Sequence, residues 1–217
     1  MTDAPLLLDR RYLLTGSAAA SAALLVPGRL GAAELVPTPG QTEGPFYPVE
    51  FPSDLDHDLV RVTGQAAQAL GQVVHVSGRI LDTRGQPRPG STVEIWQCDA
   101  NGIYRHPRAP GQGRIDQAFQ GYGRTQADAQ GQYRFRTIRP VPYPGRTPHI
   151  HFAVHVPGQG RLVTQMYIDG EPLNARDGLL NSIRDPLARR SVVVPLAAGP
   201  ASEPGALQGR FEIVVAA

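Results

Sequence analysis

From Val73 the chain alternates. Val74, Val76, Gly78 and Ile80 share one parity, and His75, Ser77, Arg79 and Leu81 share the other. A repeat of two is the mark of a β-strand, and the Asp82-Thr83-Arg84-Gly85 turn signal ends it. Pro87-Arg88-Pro89-Gly90 forms a second turn before a strand predicted from Thr92 to Gln97, which Asp99-Ala100-Asn101-Gly102 closes. Short β segments are predicted at Gly121 to Arg124 and Gln132 to Thr137, with Ala129-Gln130-Gly131 turning between them. Further strands are predicted from about Pro148 to Val156, from Leu162 to Ile168, at Val192 to Val194 and at Phe211 to Val215. Only Ala175 to Arg190 has helical character, and Pro186 limits it to a turn or two on either side. Upstream, Leu35 to about Leu59 carries prolines at 37, 39, 45, 48 and 52, which forbid a continuous helix or strand. An extended arm packed against the domain is expected there. About seven to nine short strands punctuated by turns predict an all-β fold, an antiparallel β-sandwich with an irregular N-terminal arm and little helix. No internal repeat and no second domain boundary is visible, so residues 34–217 read as one domain.

The first 33 residues read differently. Asp9-Arg10-Arg11-Tyr12-Leu13-Leu14 opens an Ala/Leu-rich stretch running to Val26, and Gly31-Ala32-Ala33 supplies small residues for a peptidase. A charged start, an apolar middle and a small-residue end make a secretory signal. The paired arginines resemble a twin-arginine signal, which exports folded proteins. Export, to a periplasmic destination, is therefore expected. The apolar run is short and weakened by Ala and Gly, so no stable membrane anchor is expected.

The chain has 217 residues, enough for one well-filled core. All of its basic residues are Arg, and removal of the first 33 residues leaves opposite charges nearly balanced. No basic excess remains to hold a phosphate backbone, which argues against nucleic acid as a partner. The sole cysteine, Cys98, excludes an intramolecular disulfide and a thiolate-rich zinc site.

Chemistry concentrates in Tyr143-Pro144-Gly145-Arg146-Thr147-Pro148-His149-Ile150-His151. On a strand, His149 and His151 point to the same face with Cα atoms about 6.5 Å apart, so both rings can reach one metal ion. The prolines and glycine before them could bring Tyr143 back over that face. Tyr, His and His together suit a hard, highly charged cation, with ferric iron the leading candidate. His155 shares the parity of the pair but lies about 13 Å further along a strand, too far to bind the same ion. A structural or surface role is expected for it, as for His57 and His75, whereas His106 is close enough in sequence to Tyr104 to stand behind a metal shell. Spacing alone does not choose further ligands among seven tyrosines.

Three segments extend the reading. Gly78-Arg79-Ile80-Leu81-Asp82 with Gly85, Pro87, Pro89 and Gly90 is the first, and Val93-Glu94-Ile95-Trp96-Gln97-Cys98-Asp99-Ala100-Asn101-Gly102-Ile103-Tyr104 is the second. The third is Tyr143-Pro144 with Arg146 and Pro148-His149-Ile150-His151-Phe152. In order and spacing they resemble the intradiol ring-cleavage dioxygenases, the protocatechuate 3,4-dioxygenase branch in particular. The resemblance runs from the arm at Thr42 to Tyr47 to about Asp169. It implies an antiparallel β-sandwich holding non-haem Fe(3+) on two tyrosines and two histidines, which fall on Tyr104, Tyr143, His149 and His151. It also implies roles for Arg146, which stabilises an anionic substrate, for Tyr143 as a proton acceptor, and for Gln165, which corresponds to a glutamine near the substrate. The implied reaction cleaves a catechol-type aromatic diol with O2 to a muconate-type diacid. Relatives assemble into oligomers, so a homo-oligomer is an expectation of the same kind. Two rivals stand beside this reading: a non-catalytic β-sandwich binding subunit with a vestigial metal site, and a hydrolase using a divalent ion at the His pair. The hydrolase needs a carboxylate ligand nearby and leaves the tyrosines unexplained. Pocket residues are expected in Gly44 to Tyr47 and in Pro107 to Gln117.

Overall fold

The computed structural model of the protein describes residues 34–216. The signal peptide expected over residues 1–33 lies outside the described residues, and with it the reading of export. Residues 34–72 contain no regular strand or helix, in line with the prolines for Leu35 to about Leu59. Ten strands follow: β1 (Val73–Asp82), β2 (Thr92–Trp96), β3 (Tyr122–Gln126), β4 (Gln132–Ile138), β5 (His149–His155), β6 (Arg161–Ile168), β7 (Val193–Val194), β8 (Ala197–Ala198), β9 (Leu207–Arg210) and β10 (Ile213–Val215). They form two five-stranded sheets in a sandwich-like all-β fold.

In one sheet β1 is antiparallel to β4 along one edge, from Val73 opposite Ile138 to Arg79 opposite Gln132. Its other edge is shared by two parallel partners, β9 over Val74 to Ser77 and β10 over Ile80 to Asp82. The second sheet runs β3-β2-β5-β6-β7, antiparallel except for the parallel pair β6 and β7. The sheets are thus mixed, three parallel pairings joining the expected antiparallel ones. The predicted helical stretch is a 3-10 turn (Pro172–Arg176) and two short helices, α1 (Gly178–Asn181) and α2 (Pro186–Ser191). Asp177 and Asp185 cap α1 and α2, each accepting two backbone N–H groups of the helix that follows it. No described helix is long and apolar enough to cross a membrane.

Alternation on β5 decides where the site lies. Ile150, Phe152 and Val154 are fully buried in the main core with Val93 and Ile95 of β2 and Val74 and Val76 of β1. Burial of each such side chain stabilises the fold by about 1.5–3 kcal/mol. The opposite parity places His149, His151, Ala153 and His155 on the sheet's other face. There a second cluster forms from Trp96, Tyr104, Tyr122 and Ala153, with Phe46 and Tyr47 of the arm packed against it. The arm is held by backbone bonds, Thr38 N–H donating to Val214 O (2.9 Å) and Gln41 N–H to Val163 O (2.8 Å). Arm cover explains why two histidines on a non-core face are each only 2% exposed.

Candidate metal centre

Three local devices deliver the four side chains with ligand chemistry. Asp99 builds the turn before Tyr104: its Oδ1 accepts the N–H groups of Asn101 (2.9 Å) and Ile103 (3.0 Å), and its Oδ2 accepts that of Asp116 (2.7 Å). Gly102 takes φ +75° in this turn, where a side chain would be strained. Tyr143 sits in the β4–β5 connection, its carbonyl accepting Arg146 N–H at 2.9 Å. His149 opens β5, and His151 follows two residues later on the same face.

These devices bring the four rings together. The His149 and His151 rings are 4.8 Å apart between centroids, with their Nε2 atoms 3.2 Å from each other. Tyr143 lies 5.5 Å from His149, Tyr104 lies 6.1 Å from His151, and the two tyrosine rings are 5.5 Å apart, edge to face. Trp96 stacks on His151 at 4.8 Å. Phe46 of the arm stacks on Tyr104 at 4.8 Å and meets Tyr143 edge-on at 6.3 Å. Gly44 passes so close that a Cβ there would lie 3.4 Å from His151 Cε1.

The polar atoms of this cluster suit a cation. Thr147 O lies 2.7 Å from His149 Nδ1 and accepts its N–H, so Nε2 carries the lone pair and faces His151 Nε2 at 3.2 Å. Tyr104 Oη and His151 Nδ1 are buried without a hydrogen-bond partner. Burial first, then the Arg146 charge, pushes the His149 imidazole down to about 4. Burial, with His149 and Arg146 behind it, holds His151 well below the ordinary histidine value. Both rings are therefore neutral near pH 7, the form that binds metals. Burial, then Cys98 and Tyr143, raises the Tyr104 phenol well above its usual value. Burial also raises Tyr143, against the lowering influence of Arg146. A trivalent cation would reverse both shifts by favouring phenolate. Among the described residues no three His, Cys, Asp or Glu side chains converge, so anionic donors at this point would have to come from the tyrosines. Two phenols and two neutral imidazoles fit Fe(3+) better than a divalent ion.

Arg146 and Gln165 belong to the same constellation. Arg146 Nη2 donates to Gln165 Oε1 (2.6 Å), Nε donates to Asp177 Oδ2 (2.8 Å), and Nη1 lies 3.5 Å from Tyr143 Oη. Gln165 is opposite His151 across β5 and β6, and its Nε2 donates to Thr42 O in the arm. His155 is outside the cluster, 3.4 Å from Glu94, and His75 bonds Glu203 at 2.7 Å. His106 is buried, its Nδ1 accepting Arg108 N–H; its backbone N–H donates to Tyr104 O at 2.8 Å and its ring meets Phe46 at 5.7 Å. Of the segment 107–117 expected at the pocket, Gln112 holds the Tyr104 carbonyl at 2.9 Å. Sequence reasoning missed Gln41, Tyr167 and Asp177. Tyr167 shares the parity of Gln165 on β6, which could have found it. Asp177 before Gly178-Leu179-Leu180 reads as a helix cap, and Gln41 carries no signal at all.

A dioxygenase family model matches residues 42–216. The chain is 38% identical over 179 residues to the protocatechuate 3,4-dioxygenase beta chain of Burkholderia cepacia, covering 79% of this chain and 76% of that one. It is 31% identical over 166 residues to the hydroxyquinol 1,2-dioxygenase of Corynebacterium glutamicum, where it covers 68% of this chain and 51% of the relative. Thus it spans about half the length of that second relative. Among solved structures, the dioxygenase domain of a dioxygenase carbohydrate-binding protein fusion from Streptomyces sp. SirexAA-E superposes with a TM-score of 0.65 at 30% identity, covering 83% of this chain and 99% of that one. The chain belongs to the intradiol ring-cleavage dioxygenases, a class of oxidoreductases.

Proposed function

We propose that the protein is a non-haem ferric dioxygenase that cleaves a catechol-type aromatic diol with O2 to a muconate-type diacid. The observation that carries this reading is the convergence of two phenols and two neutral imidazoles, with Tyr104 Oη buried and unpartnered and the two histidine Nε2 atoms 3.2 Å apart. Tyr104, Tyr143, His149 and His151 would hold the iron, which would supply Lewis acidity toward the diol. Tyr143 is the partly exposed member of the set, so its Oη is the one able to take up a diol proton. Arg146 keeps a permanent positive charge beside that oxygen and stabilises the anionic diol. Phe46 and Trp96 cover the rings and exclude water from the cluster. The twin-arginine signal expected at residues 1–33 suits a protein loaded with metal before export, and a fusion of those residues to a reporter tests it. Self-association, expected from the resemblance, is read directly by sedimentation.

The test is oxygen uptake by the iron-loaded protein across a panel of diols, alongside metal analysis and visible absorption. Stoichiometric iron, a burgundy tyrosinate charge-transfer band and consumption of at least one diol are expected. His149→Ala and His151→Ala should each abolish iron binding. A colourless protein with full iron, or unchanged iron in both histidine variants, refutes the reading.

A further inference from the structure

We propose that Asp177 is a positioning residue that locks Arg146 in the orientation the reaction uses, and that it does so through one carboxylate oxygen while the other caps α1. Its side chain is wholly buried. Oδ1 accepts the N–H groups of Leu179 (3.1 Å) and Leu180 (2.9 Å), which is the helix cap. Oδ2 accepts Arg146 Nε–H (2.8 Å) and Thr147 N–H (3.1 Å). The two oxygens thus divide the work, four N–H donors between them.

The arginine is gripped from two sides. Asp177 holds Nε, and Gln165 Oε1 holds Nη2 from across the site at 2.6 Å. Gln165 is itself fixed by Thr42 O and by Tyr167 Oη, which receives Gln41 Nε2 at 2.8 Å. A planar guanidinium held at Nε and Nη2 has no rotation left. Its remaining edge, Nη1, is the one 3.5 Å from Tyr143 Oη. The same carboxylate reaches the histidine side as well. It holds Thr147 N–H, and Thr147 O is the acceptor that fixes the His149 tautomer. Thr147 Oγ1 is bound in turn to Asn174 Oδ1 at 2.8 Å, so the peptide is pinned from both ends.

A cap role alone does not require this arrangement, because an N-cap needs one acceptor and asparagine supplies it as well as aspartate. Asp177→Asn separates the two roles. If the amide oxygen keeps the cap, the amide N–H2 meets Arg146 Nε–H and Thr147 N–H, donor against donor. Asp177→Ser also keeps a capping oxygen and removes the second one. The proposal rests on the reading of Arg146 given above for its kinetic part, and on the geometry alone for its crystallographic part.

Two measurements test it. Crystal structures of wild-type protein and Asp177→Asn, both metal-free, should show Arg146 displaced or without density in the variant while Tyr104, Tyr143, His149 and His151 stay in place. In iron-loaded protein, kcat for an accepted diol should fall about 10- to 100-fold at unchanged iron content, as for a catalytic group misplaced by about 1 Å. In an Arg146→Gln background the same substitution should cost at most about twofold further, since the main group it positions is gone and Asn174 still pins Thr147. Asp177→Ser should repeat the pattern, and it stands in if Asp177→Asn does not fold. The proposal is overturned if Arg146 stays put in the variant, or if the losses multiply in the double variant. It is also overturned if the variant lowers Tm yet leaves kcat within about twofold of wild type. Should wild type consume no diol, the functional reading fails, and the crystal structures still decide whether Asp177 fixes Arg146.

Discussion

Tyr104→Phe should change sign between the metal-free and the iron-loaded protein. The ring does structural work: it stacks on Phe46 at 4.8 Å and meets Tyr143 edge-on at 5.5 Å, and phenylalanine keeps both contacts. The hydroxyl does not, being buried without a partner in a residue only 3% exposed. A buried polar group left unsatisfied costs about 1–3 kcal/mol. Its removal should therefore stabilise the metal-free protein by about 1 kcal/mol or more, which for a domain of this size raises Tm by about 2–4 °C per kcal/mol. In the proposed iron site the same oxygen would be a donor, and a ligand that binds only the folded state stabilises it by RT ln(1 + [L]/Kd). Loss of one anionic donor raises Kd, so iron should raise the variant's Tm by clearly less than the wild type's. Calorimetry on stripped and iron-loaded samples of both proteins gives four transitions, and the crossover lies in their differences. Two results would refute the reasoning: a stripped variant less stable than stripped wild type by about 1 kcal/mol, or equal stabilisation of both proteins by iron.

Tyr143→Phe should keep more of its iron than of its turnover, because Tyr143 is half-exposed and assigned to proton uptake; stopped-flow diol binding against metal content checks this. Gly78→Ala should cost about 3 kcal/mol or more by chemical denaturation, since its Cβ would lie 1.8 Å from Phe211 O, a backbone atom held by Tyr133 Oη at 2.6 Å. Glu203 predicts an acid limb. Hydrogen bonds from Arg136 above all, and from His75, hold its carboxyl at about 2 instead of 4.5. A depressed folded-state value contributes stability above pH 4.5 that is lost as pH falls from 4.5 through about 2. The wild type should exceed Glu203→Gln by about 1 kcal/mol near pH 6, after solvent screening, and the two should converge on acidification.

How much of this was legible depends on the range of the interactions. The strands with clear alternation, β1, β4 and β5, are visible because a pleat whose two faces meet different surroundings imposes a period of two on each locally. Ala197–Ala198 and Leu207–Arg210 escaped, having neither alternation nor β-branched residues; their pairing is supplied by each other and by the free edge of β1. Parallel pairings leave no local signature either, which is why the mixed character of both sheets was missed. The stretch from Ala175 to Arg190 has helical composition, yet the caps at Asp177 and Asp185 and the proline at 186 divide it. At the site the His149/His151 spacing and the adjacent Tyr143 were readable, and Tyr104 came only through family resemblance. The Arg146–Asp177 contact spans 31 positions and the Gln41–Tyr167 contact 126, distances over which no pattern in one sequence carries information.

These two ranges meet on β5. Its even positions fill the core and would do so in any sandwich, whereas the chemistry of its odd positions depends on what covers them. A sheet face open to water would leave His149 and His151 as ordinary surface imidazoles near their usual value. The arm supplies the cover: Gly44 has no side chain to press on His151, Phe46 stacks over Tyr104, and Gln41 and Thr42 reach Tyr167 and Gln165. The depressed histidine values and raised tyrosine values have burial as their leading cause, so they are properties of the docked arm as much as of the strand. A segment with no regular structure thereby sets the electrostatics of the centre. It follows that substitutions which loosen residues 40–47 should damage metal affinity before they damage the fold, because the main core lies on the other side of the sheet.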